Sequence, residues 1–95
     1  MTSQNSLGQH IKIDIDNDNL DLATAKDFAK QKMKELSPDS MLLSWFKGQT
    51  GEYYPIVKCG NRDKPAWIEW AEARGGDVTI DINDGEYIFI FLSLR

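Results

Sequence analysis

Cys59 is the side chain whose neighbours most suggest covalent chemistry. It lies between Lys58 and Arg62, just ahead of a predicted helix. Cationic neighbours and free helix N–H groups are what make a thiolate available. A nucleophilic thiol also needs a base, and His10 is the only histidine in the chain. The competing reading of Cys59 is a small apolar residue at a strand end. The same loop, 58–64, brings Lys58, Arg62 and Lys64 to a helix N-terminus, where a small anion could sit. Asp63 competes for those N–H groups, and no glycine-rich phosphate pattern supports a nucleotide. Trp45, Tyr53 and Tyr54 are candidates for the wall of a binding pocket. Arg74 falls beside Trp67 and Trp70 on a helical wheel, so its guanidinium could cover an indole face. Core packing with an arginine reaching to solvent explains the same spacing.

Asp14, Asp16 and Asp18 alternate like the opening of a calcium loop, but the resemblance stops there. Asn19 stands where the sharp turn needs Gly, and Ala25 stands where a bidentate Glu is required. No metal and no cofactor is therefore assigned. The Lys26, Lys30 and Lys34 stripe is interrupted by Asp27 and Glu35 and reads as a solvated helix face.

These groups are carried by a chain of 95 residues with 41% hydrophobic and 27% charged content, the composition of one globular domain. A net charge of −4 gives no basic footprint and argues against nucleic acid as a partner. One cysteine excludes an intramolecular disulfide, so a reducing, cytoplasmic setting is expected. No stretch reaches the length of a membrane helix, and the start of the chain lacks the pattern of a signal peptide. Residues 1–9 are expected to form a flexible polar tail and residues 10–95 a single α+β domain.

The surest element is the stretch from Asp77 to Leu92, two β-favouring runs joined by Asp84-Gly85, a strong hairpin signal. Its register should pair Ile82 with Tyr87, Ile80 with Phe89 and Val78 with Phe91. The second run is then apolar on both faces, as a central strand would be. Upstream, residues 10–16 alternate with Ile11, Ile13 and Ile15 on one face. Leu22, Ala25, Phe28, Ala29, Met33 and Leu36 follow a helical stripe, with Asp21 or Thr24 as the cap and Ser37-Pro38 as the stop. Residues 41–47 and 52–59 form a second hairpin in which Lys47 meets Glu52. Strict alternation would put Leu43, Trp45, Tyr54 and Ile56 on one face, and Leu42, Phe46, Tyr53 and Val57 on the other. Pro55 limits its second strand to an edge or a bulge. Asp63 and Pro65 open a second helix around Trp67 and Trp70, ended by Gly75-Gly76.

The predicted order is β-α-β-β-α-β-β, a mostly antiparallel five-stranded sheet with two helices. Its apolar area exceeds what one covered face would use. If both helices share a face, Ile88, Ile90 and Leu92 stay exposed with one aromatic face of the 41–59 hairpin. Three outcomes are open: a helix covers the second face, a second copy covers it, or it lines a ligand groove flanked by Asp14 and Asp81. The row Ile88, Ile90 and Leu92 is the expected interface if a second copy does. The functional expectation is a non-catalytic binding or oligomerisation module that acts through self-association or a protein partner. The alternatives are a small enzyme or enzyme subunit using Cys59 as a reactive thiol, and a binder of a small anionic ligand at loop 58–64.

Overall fold

The computed structural model describes residues 9–16, 19–56 and 65–93. Its elements are β1 (Gln9–Ile13), α1 (Leu22–Leu36), β2 (Met41–Lys47), β3 (Glu52–Tyr54), α2 (Ala66–Ala73), β4 (Val78–Ile82) and β5 (Tyr87–Leu92). The strands form one sheet in the order β1-β4-β5-β2-β3, with β1 parallel to β4 and every other pair antiparallel. This is the α+β architecture, element order and mostly antiparallel sheet that the sequence predicts. α1 carries the chain from β1 across the sheet to β2, which runs in the same direction although β4 and β5 lie between them.

The β4–β5 hairpin has the expected register, Ile82 opposite Tyr87, Ile80 opposite Phe89 and Val78 opposite Phe91. Asp84 and Gly85 both take positive φ, 57° and 96°, as the central pair of a type I′ turn must. Asn83 is also left-handed, at 55°, and its side chain puts that conformation to use. Its Oδ1 accepts from the Ile15 amide at 2.7 Å while its Nδ2 donates to the Ile15 carbonyl at 3.1 Å. The backbone N–H of Asn83 donates to Ile13 as well, so one residue continues the β1–β4 ladder past the end of β1. That explains why β1 stops at Ile13 although the alternation of isoleucines runs on to Ile15.

α1 covers one face of the sheet. Ala25, Ala29 and Met33 are buried against Ile80, Ile82, Phe89 and Phe91, with Ile11, Ile13, Ile15, Leu42 and Trp45 packed around them. Asp21 is the cap, its carboxylate accepting from the Thr24 amide at 2.8 Å, which holds its carboxyl below the ordinary value of 3.8. Phe28 and Leu36, expected on the buried stripe, are exposed, because two alanines let α1 sit close and only a narrow strip reaches the sheet. Buried Tyr87 donates its hydroxyl to the Leu20 carbonyl at 3.2 Å. Burial, followed by the charges of Glu86 and Asp21, raises its phenol above the ordinary 10.0. The unfolded phenol loses its proton first, so stability is intact below pH 10.0 and falls as pH rises from there through the folded value. Tyr87→Phe should cost about 1 kcal/mol at neutral pH. It should also remove that alkaline slope, which urea melts across the pH range would detect.

α2 lies on the opposite face. Trp67 and Ala71 are buried with Leu43 and Ile90, and Ile88, Leu92, Phe46, Tyr53, Ile68 and Trp70 pack around them. This corrects the expectation of an interface at Ile88, Ile90 and Leu92. Ile90 is 1% exposed, and the row is covered within the chain by a helix, the first of the three open outcomes. α2 itself begins at Ala66, with Pro65 at the cap position and no side-chain hydrogen bond there. The expected cap, Asp63, lies outside the described residues.

β2 departs from strict alternation. A bulge between Leu42 and Ser44 leaves Leu42 opposite Phe91 and Ser44 opposite Ile90. Leu42 therefore joins Trp45 on the α1 side, while Leu43 joins Phe46 on the α2 side, the reverse of the pairing that alternation predicts. Beyond the bulge the hairpin register is as expected, Lys47 opposite Glu52 and Trp45 opposite Tyr54. β3 is shorter than predicted: it ends at Tyr54, before the cis peptide to Pro55, and lies at the edge of the sheet.

Candidate functional site

Each helix covers its face unevenly. α1 packs along β5, and α2 along β2 and β5. Among the described residues, the α1 side of the β2–β3 hairpin and the α2 side of the β1–β4 pair are consequently the parts of the sheet that the helices cover least.

The two open regions differ in chemistry. On the β1–β4 side the register aligns His10 with Thr79 and Lys12 with Asp81. His10 and Lys12 are exposed, Lys12 reaches Asp84 at 3.6 Å, and Asp81 accepts from the Gly85 amide at 2.6 Å. A charged, solvated edge of this kind discourages strand addition.

On the β2–β3 side the register puts Trp45, Tyr54 and Glu52 on one surface. The Trp45 and Tyr54 rings lie 6.2 Å apart between centroids and 15° from parallel. With Ile56 and the edge of Tyr53 they line a groove of about 330 Å³. Tyr54 is 54% exposed and Ile56 85%, unusual for side chains of this size. Glu52 is fixed by the turn: Thr50 Oγ1 donates to its Oε1 at 2.9 Å, and Lys47 Nζ approaches to 4.0 Å. Among the described residues the strand beneath is the last of the sheet, and no neighbouring strand pairs with its outward backbone groups.

Of the residues singled out in the sequence, Trp45, Tyr53 and Tyr54 are brought together at this groove. Tyr53 nonetheless directs its ring into the α2-side cluster. Arg74 is elsewhere, its guanidinium 3.8 Å from the Trp70 ring centroid and Nη1 donating to the Trp70 carbonyl. Trp67 instead stacks on Phe46 at 5.0 Å. His10 stands on the β1 edge. Cys59, Lys58, Arg62 and Lys64 lie outside the described residues, and so does Asp18 of the acidic run. Among the described residues, no three His, Cys, Asp or Glu side chains are gathered for a metal ion. No helix among them is long and apolar enough to cross a membrane. Glu52 and Ile56 were not singled out as site residues, although their alternation with Tyr54 was the available signal.

Residues 8–91 match the family described as a domain of unknown function, DUF5619. The chain belongs to that family. A crystal structure of AF1514 from Archeoglobus fulgidus DSM 4304, described as a novel protein, has the same fold as this DUF5619 domain. The two align with a TM-score of 0.78 and 27% identity, covering 93% of this chain and 96% of that one. No curated protein matches the DUF5619 chain.

Proposed function

We propose that this domain is a non-catalytic binding module, and that it recognises an extended segment of a protein partner at the β3 edge and the Trp45–Tyr54 groove. The observation that carries the reading is the exposure of Tyr54 and Ile56 beside Trp45, at the strand that is outermost among the described residues. An added strand would gain main-chain hydrogen bonds from β3 while its alternate side chains entered the groove. A separate partner is favoured over a second copy. Two β3 strands paired about a dyad would offer only the three residues Glu52–Tyr54 from each chain, with Glu52 set against Tyr54. A reducing, cytoplasmic setting belongs to the same proposal and rests on the single cysteine.

Light scattering should return a monomer across micromolar concentrations. Peptide-library selection on the immobilised domain should enrich segments of β character. The double variant Tyr54→Ser/Ile56→Ser should keep the wild-type melting temperature and enrich none of them. Equal enrichment on both proteins would end the proposal.

A further inference from the structure

We infer that the segment taken by this groove carries an arginine or lysine side chain between Trp45 and Glu52; this deepens the binding reading above and rests on it. Trp45 and Tyr54 line the groove with near-parallel rings, and Glu52 is the one charged residue among Trp45, Glu52, Tyr53, Tyr54 and Ile56. A cation is attracted to both kinds of group, and an anion is repelled by both. The net charge of −4 has the same sign as the groove.

The chain provides its own comparison on the opposite face. There Arg74 lies 3.8 Å from the Trp70 ring centroid, so that indole is already supplied with a guanidinium. Among the described residues no cation is placed over Trp45, which has a carboxylate nearby instead. A partner's cationic side chain would complement that pairing of indole and carboxylate. Lys47 does not fill this role: it approaches Glu52 only to 4.0 Å, and the Glu52 side chain keeps 67% of its surface open to solvent. The hydroxyl of Thr50 holds one carboxylate oxygen, which orients the group without neutralising it.

Three pentapeptides test this, Ac-Val-Thr-X-Thr-Val-NH₂ with arginine, norleucine or glutamate at X. Each is titrated to millimolar concentration into the full chain, with amide and indole N–H shifts followed by NMR. The arginine peptide should move the Trp45 indole and the Glu52 to Ile56 amides saturably. It should bind about three- to fivefold more tightly than the norleucine peptide. The glutamate peptide should be weakest. Glu52→Gln, which keeps the shape of the side chain, should erase most of the arginine preference, and so should raised salt. Equal binding of the arginine and norleucine peptides would overturn the charge inference alone and leave the groove as a binding site. No groove shift with any peptide would overturn both.

Discussion

Gly48→Ala should lower the melting temperature of this domain by roughly 15 °C, from a loss of about 3 kcal/mol. A Cβ at Gly48 would lie 2.1 Å from the carbonyl oxygen of Gly85, and that oxygen is backbone, so no rotamer change can move it away. The two hairpin turns meet at this point. Gly48 donates to the Glu86 carbonyl at 2.8 Å, and Gln49 Nε2 donates to Glu86 Oε2 at 3.0 Å. Relieving the clash requires the turns to part, and both bonds go with them. Gly51 is the internal control, since its Cβ would meet nothing within 4 Å and only its φ of 80° resists substitution. Gly51→Ala should cost about 1 kcal/mol. Thermal melts of both variants by circular dichroism give the comparison. Equal melting temperatures would show that the turns do not depend on that close approach.

Trp67→Ala should cost about 4 kcal/mol, a large share of the roughly 5 to 14 kcal/mol that a chain of this size has in hand. Trp67 is the largest buried side chain of α2, stacked on Phe46 and packed with Leu43 and Ile90. Its loss should also uncover the Ile88, Ile90 and Leu92 row. The variant is therefore expected to bind a hydrophobic dye and to associate in light scattering, which the wild type should not do. Urea denaturation supplies the stability difference. A Trp67→Ala protein that is destabilised yet stays monomeric and dye-free would mean that α2 holds its place without that anchor.

The hairpin registers were legible because their determinants are local. The period of two, Asp84-Gly85 at one turn and the Lys47–Glu52 pair at the other specify which residues face one another. The α1 cap and its alanines were legible for the same reason. The parallel pairing of β1 with β4 was not, because it joins Gln9 to Val78 through contacts that no short window contains. Which face α2 covers was open for a similar reason: the wheel of Trp67, Trp70 and Ala71 says that the helix is amphipathic, not where it docks. The bulge at Leu43 escaped notice because it adds one residue to an otherwise regular run, with no glycine to mark it. The groove was half visible. Trp45, Tyr54 and Ile56 were assigned to one face, but their exposure depends on how far α1 reaches across the sheet.

That bulge has a consequence for what the domain can offer to a partner. The hairpin carries two aromatic pairs on opposite sides, Trp45 with Tyr54 and Phe46 with Tyr53. One extra residue upstream decides which pair lines the groove and which packs into the α2-side cluster. Were β2 to slip by a single position against β5, the pairs would trade places, and Gly48 would no longer meet Gly85. A change of one residue in the length of β2 would therefore exchange the aromatic pair that lines the groove.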